Sequence, residues 1–422
     1  MELLLQHSGL IIFIAATFAF LMAWGIGAND VSNAMGTSVG TKTLTIKQAI
    51  IVAMIFEFAG AYFAGGEVVD TIKDRVVDCT AIAPGDLIIG MISSMLAAGL
   101  WLIIASFYSW PVSTTHSIIG GIVGFGIVTS GVGSIKWNMF AGITGSWVIT
   151  PVIAGVIAFV LFLHIQKFIF CRFHPFKHAK RLAPWYVFLT ILIIAIVTIQ
   201  KGLKHINIHL STGEAWMLSI VVAALAAFGA AVFLHYKKFN KADEARNHYV
   251  NVERVFSVLM LMTACAMAFA HGSNDVANAI GPLASVVTVL QNGGEHVAKA
   301  GMPDWILPLG AVGMVIGLAT FGYKVMSTVG SGITALTPSR GFAAQLATAS
   351  TVVLASGTGL PISTTQTLVG AIMGVGLARG IAAININMVR NIVVSWVVTL
   401  PAGAILAVII FYIFKYLLHL LG

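Results

Sequence analysis

Charge is what this sequence has least of. Asp, Glu, Lys and Arg supply 9 % of its 422 residues, while 58 % are hydrophobic. Soluble domains carry about 25 % charged residues, so a soluble core is excluded and an integral membrane protein is required. Cysteine is scarce too. Cys79, Cys171 and Cys265 follow neither a disulfide framework nor a metal spacing. There is no His/Glu zinc motif. Ser113 or Thr115 beside His116 is the nearest approach to a nucleophile and base, but chain neighbours rarely point together. These absences argue against an enzyme and call for no cofactor beyond a transported ion. The formal net charge of +8 does not indicate nucleic acid, because the basic residues lie in short loops beside apolar runs, where they set orientation. The first apolar run has no basic leader or small-residue cleavage site and continues into Asn29-Asp30, so it reads as a retained helix.

About twenty apolar residues cross a bilayer, and twelve candidate spans follow: 10–28, 47–66, 87–109, 112–130, 138–165, 184–200, 214–236, 254–270, 305–322, 341–357, 361–378 and 386–418. The fold class is therefore an all-α, multi-pass membrane protein of about 12 transmembrane helices. Loops after odd-numbered spans hold 16 of the 23 Lys and Arg residues, which predicts cytoplasmic odd loops and both termini outside. Segment 66–86 is a polar, acid-rich insert on the outer side; 166–183 and 237–253 are basic and cytoplasmic.

One stretch occurs twice. Asn29-Asp30-Val-Ser-Asn33 is matched by Asn274-Asp275-Val-Ala-Asn278, each at the end of an apolar run. Pro111-Val-Ser-Thr-Thr115 is matched by Pro361-Ile-Ser-Thr-Thr365, and Ser146-Trp147 with Pro151 by Ser395-Trp396 with Pro401. Seven spans separate the two copies of the first motif. An odd number predicts two inverted-topology repeats, 1–165 and 254–422, joined by a connector 166–253 with two extra helices. Inverted repeats are the build of secondary transporters, with the site near the midplane.

The motifs suggest their own chemistry. A carboxylate beside two carboxamides at the edge of hydrocarbon is costly and marks a functional site by default. Glycines around Asn-Asp-x-x-Asn predict broken helices or re-entrant hairpins, whose freed carbonyls would join the side-chain oxygens as a hard-cation site. Pro-x-Ser-Thr-Thr reads as a helix start, with hydroxyls and unpaired N–H groups suited to a tetrahedral oxyanion. Neither motif contains Lys or Arg, so an anion sharing a site with Asp30 and Asp275 needs mobile cations between them. Each ligand then requires the other, and the pattern predicts a cation–anion symporter. Glu57 is an acid deep in an apolar span, suited to coupling, helix packing or a subunit interface. His116, matched by Gln366, and His271, matched by Ile26, are expected to hold structural hydrogen bonds and orient neighbours.

At these motifs the sequence resembles the inorganic phosphate transporter family, which includes the type III sodium–phosphate cotransporters. The resemblance runs through residues 27–40, 111–116, 271–282 and 361–365. It implies a symporter moving inorganic phosphate with sodium ions or protons, sodium being the favoured reading, and a homodimer in the plasma membrane (the bacterial inner membrane, since the connector is short). Carried over by position, Asn29, Asp30, Asn33, Asn274, Asp275 and Asn278 would hold sodium. Ser113, Thr114, Thr115, Ser363, Thr364 and Thr365 would contact phosphate. Gln345 stands where some relatives carry an acid, which bears on the number or identity of coupling ions. The alternatives are proton-coupled phosphate or sulfate permeation and a passive anion channel.

Overall fold

The computed structural model describes residues 1–108, 110–201, 210–237, 239, 249–295, 297, 301–326, 335–380 and 384–421. Helices dominate, and no strand occurs among the described residues beyond one isolated bridge between Val77 and Ile135. In chain order the α-helices are α1 (Glu2–Gln6), α2 (Ser8–Gly40), α3 (Ile46–Ala64), α4 (Gly66–Asp74), α5 (Pro84–Phe107), α6 (Thr114–Ser130), α7 (Trp137–Ile165), α8 (Pro175–Lys201) and α9 (Thr212–Tyr236). They continue with α10 (Val250–Gln291), α11 (Ile306–Thr320), α12 (Pro338–Gly357), α13 (Thr364–Ala378) and α14 (Ile386–Leu421).

Each of the twelve candidate spans falls on one helix. Among the described residues, eight helical segments, including α2, α7, α10 and α14, are long and apolar enough to cross a membrane; α6, α11 and α13 are apolar but shorter. The acid-rich insert contains the short helix α4. Within the basic segment 237–253, Lys238, Lys241 and Arg246 lie outside the described residues. Local signals explain several helix starts. Thr45 with Gln48 and Ser211 with Glu214 form reciprocal capping boxes. Pro84 and Pro338 stand in first turns, where a missing N–H costs nothing.

The expected break at Asn-Asp is corrected. α2 runs unbroken for 33 residues and α10 for 42, so both motifs lie inside continuous helices. Their backbone carbonyls are engaged in the helix rather than freed. The glycines serve close approach instead: a Cβ on Gly27 would collide with the Met314 carbonyl oxygen, and one on Gly272 with that of Glu57. Chain breaks come at the other motif. α5 and α6 are joined through buried, non-helical Val112-Ser113, and α12 and α13 through Ile362-Ser363.

Helix contacts come in matched pairs. α2 packs on α11 and α5, as α10 packs on α3 and α12. α6 packs on α14, and α13 on α7. Gly120 lies against the Leu400 carbonyl, and Gly370 against that of Pro151. Between membrane helices no hydrophobic driving force remains, so such small-residue contacts supply the association through close packing. α8 and α9 pack on each other, with α8 also against α10.

Candidate ion and anion site

The four duplicated segments meet. Asn33 on α2 donates from Nδ2 to Thr365 Oγ1 at 2.7 Å and to its own turn's Asp30 Oδ1 at 3.2 Å. Asn278 on α10 donates to Thr115 Oγ1 at 3.2 Å and Thr114 Oγ1 at 3.3 Å. Each half's asparagine thus holds the other half's threonines. The tips also hold one another: Thr115 Oγ1 donates to the Ile362 carbonyl at 2.9 Å and Thr365 Oγ1 to that of Val112 at 3.3 Å. Thr364 Oγ1 donates to Asp275 Oδ2 at 2.8 Å. All twelve motif residues singled out from the sequence are buried, none above 2 % exposed.

The remaining two asparagines clasp the hairpin bends. Asn29 Nδ2 reaches Ser106 Oγ at 3.2 Å and the Trp110 carbonyl at 3.1 Å. Asn274 Nδ2 reaches Ser356 Oγ at 3.0 Å and the Leu360 carbonyl at 3.4 Å. Turned over, the same amide donates to the Ile362 carbonyl and Asp275 Oδ1, each at 3.0 Å, and accepts from Ser356 Oγ. Ser106 and Ser356 lie outside the two motifs, yet each stands five residues before its proline, and that shared spacing is the signal that identifies them.

Ser113 and Ser363 are helix caps. Their Oγ atoms accept from His116 N at 3.2 Å and Gln366 N at 3.3 Å. Among the described residues, nothing accepts from the backbone N–H groups of Thr114, Thr115, Thr364 and Thr365, as the first turn of a helix requires. Two positive helix ends therefore face the same interior. The acceptor side is equally open: Asn29 Oδ1, Asp30 Oδ2, Asn33 Oδ1 and Asn278 Oδ1 are buried oxygens that no donor reaches. Such orphans cost roughly 1–3 kcal/mol each when unmet.

Two differences between the halves bear on the site. His271 places Nε2 at 2.9 Å from Asp275 Oδ2 and Nδ1 at 3.1 Å from Glu57 Oε1, all fully buried. Ligand atoms of Asp30, His271 and Asp275 lie within 4.8 Å of one another. Both ring nitrogens face carboxylates, so the group carries at least one proton beyond a neutral imidazole with two ionised acids. On the other side the corresponding contact joins Ile26's turn to Met314, both apolar. Gln345 marks the second difference. Its Nε2 donates to the Ala34 carbonyl at 2.8 Å and Ser38 Oγ at 3.1 Å, and its Oε1 accepts from Thr263 Oγ1 at 3.1 Å. Counted from the paired motifs, the matching positions are Met95, Leu283 and Phe18, an apolar cluster. His116 lies outside the junction: Nδ1 meets the Trp396 carbonyl at 3.2 Å and the ring lies tilted against Trp147, centroids 3.8 Å apart.

Comparison with known proteins agrees with this geometry. The profile of the phosphate transporter family matches residues 26–407. A putative phosphate permease of Haemophilus influenzae is 55% identical over 98% of this chain and 99% of its own length. One from Pyrococcus furiosus is 44% identical over 98% and 97%. The chloroplastic inorganic phosphate transporter 2-1 of Arabidopsis thaliana is 41% identical over 97% of this chain and 73% of its own length. A solved structure, the sodium-dependent phosphate transporter, superposes with a TM-score of 0.89 at 39% identity, covering 96% of this chain and 99% of that one. With paired motifs, helical architecture and full-length relatives in agreement, this chain is a multi-pass membrane protein of the phosphate transporter family.

Proposed function

We propose that the protein imports inorganic phosphate with sodium ions by alternating access, its two inverted repeats (1–165 and 254–422) building one shared site. The observation that carries this is the composition of the junction. Two helix starts offer free N–H groups to an anion, two aspartates and three asparagine oxygens offer acceptors to cations, and no Lys or Arg stands among them. Thr114, Thr115, Thr364 and Thr365 would hold phosphate through hydroxyls and backbone N–H groups, with Ser113 and Ser363 fixing the helix ends that present them. Asn29, Asp30, Asn33, Asn274, Asp275 and Asn278 would hold sodium, their oxygens exchanging an unmet acceptor for a cation. Phosphate alone is repelled by Asp30 and Asp275, and sodium alone leaves the helix ends unpaired. Each ligand lowers the cost of the other, and by linkage the effect is reciprocal.

We further propose twelve crossings with both termini outside, which the Lys and Arg distribution supports, and, from the family resemblance, a homodimer in the bacterial inner membrane. Proton coupling is the second reading. It is favoured by His271, whose two ring nitrogens lie against Glu57 and Asp275 and could carry a proton between them. Radiolabelled phosphate uptake into proteoliposomes separates the readings. Sodium symport gives accumulation above equilibrium under an inward Na⁺ gradient, resistant to excess sulfate. Accumulation under a proton gradient without Na⁺ transfers coupling to the acids as proton carriers. Equal filling with no gradient rejects symport in favour of a channel.

A further inference from the structure

Helices α8 and α9 carry neither motif, yet their shared end forms a basic concavity. It encloses about 390 Å³ and is lined by Phe176, Lys177, Lys180 and Arg181 of α8 with His235 at the end of α9. No acid lines it, and among the described residues none of these basic groups pairs with a carboxylate. Lys180 Nζ lies 5.8 Å from the Phe176 ring centre and 5.7 Å from that of Phe239. Those rings meet edge to face at 4.9 Å. Aromatic faces thus hold the ammonium without neutralising it. Three unneutralised cations around one cavity repel one another unless an anion enters.

Position narrows what that anion is. α9 has 25 residues, about 37 Å of helix against a hydrocarbon core of about 30 Å. Its outer face is apolar and open, with Leu225 67% and Phe228 70% exposed. Exposed Phe233 and Tyr236 on α9 and Trp185 on α8 stand within four residues of the cavity's lining. Aromatic residues in that setting mark the headgroup level. A basic pocket between membrane helices at headgroup depth suits a lipid phosphate, and the Arg181 fork can take two of its oxygens.

We propose that this pocket seats the headgroup of an anionic phospholipid whose acyl chains lie along the exposed face of α9. A zwitterionic lipid offers the same phosphate but brings an ammonium that the lysines repel. Free inorganic phosphate shares the chemistry but gains nothing from the apolar face.

Native mass spectrometry of the full-length protein in detergent tests the assignment. The probes are phosphatidylglycerol and phosphatidylcholine of matched chains, with inorganic phosphate as competitor. The intact protein and a Lys177→Arg/Lys180→Arg variant should retain phosphatidylglycerol selectively. Combined Lys177→Gln, Lys180→Gln and Arg181→Gln should weaken that retention about a hundredfold, and inorganic phosphate should leave it unchanged. Equal retention of both lipids, or undiminished retention by the neutralised variant, overturns the proposal. Displacement by inorganic phosphate overturns it in favour of a free-anion site. Should the triple variant fail to elute as the intact protein does, the salt dependence of the intact protein decides: retention falls with ionic strength if charge holds the lipid, and a flat response contradicts it.

Discussion

Asp30 Oδ2 is a buried carboxylate oxygen that no donor reaches, and a cation is the partner that resolves it. A unit charge near 4 Å is worth about 4 kcal/mol at the effective dielectric of a protein site. Asp30→Asn should therefore weaken sodium-driven phosphate uptake at least a hundredfold at fixed Na⁺, read as a rise in the sodium concentration for half-maximal rate; an unchanged sodium dependence removes Asp30 from the cation site. Gln345 makes a different prediction. Gln345→Met places the residue of the matching position, Met95, but leaves Ser38 Oγ and the Ala34 carbonyl without the Gln345 amide. The expected cost is about 1–3 kcal/mol, read as a lower midpoint in thermal unfolding in detergent. The paired motifs were legible in the sequence because a carboxylate and carboxamides at a hydrocarbon edge are expensive. The capping role of Ser113 and Ser363 was legible as a residue preference, but the crossing of Asn33 to Thr365 was not, since nothing local specifies which threonine an asparagine 332 positions away will meet.

At the level of elements, glycine contacts decide what the helices can do. Gly27 and Gly272 bring α2 and α10 onto the backbones of α11 and α3. Gly27→Ala should push α2 from α11 and cost about 1–3 kcal/mol, whereas Gly142→Ala on α7 has open space within 4 Å and should be neutral. Equal melting of both variants would show that the close approach contributes nothing. Helix existence was legible for the twelve apolar spans but not for the short α1 and α4, and helix ends were not. Hydropathy fades after 28 and 270, while α2 and α10 run on to Gly40 and Gln291. Those extensions are small and polar because protein rather than lipid surrounds them, and a scale built on lipid contact misses that. The same condition explains the unbroken Asn-Asp helices: side chains alone can offer the oxygens, so the backbone stays paired.

At the scale of the whole molecule, orientation and coupling remain to be measured. Cys171 is exposed in the first basic segment, whereas Cys79 is buried, which pushes its thiol up to about 12 and leaves it protonated and inert near neutrality. In a Cys265→Ala background, an impermeant maleimide should label Cys171 in inverted vesicles and not in intact cells; the reverse pattern inverts the topology. The odd spacing of the motif copies predicts an inverted arrangement, because parity needs only a count of spans. His271, matched by Ile26, and Gln345, where some relatives carry an acid, stood out in the sequence, but their partners were not legible, since these come from helices far apart in sequence. The shared site itself is tested most directly by running the coupling backwards. In proteoliposomes with equal ²²Na⁺ on both sides and no other gradient, an inward phosphate gradient should drive ²²Na⁺ above equilibrium, and Asp30→Asn or Asp275→Asn should abolish that accumulation. Sodium that stays at equilibrium while phosphate enters would contradict a common site for the two ions.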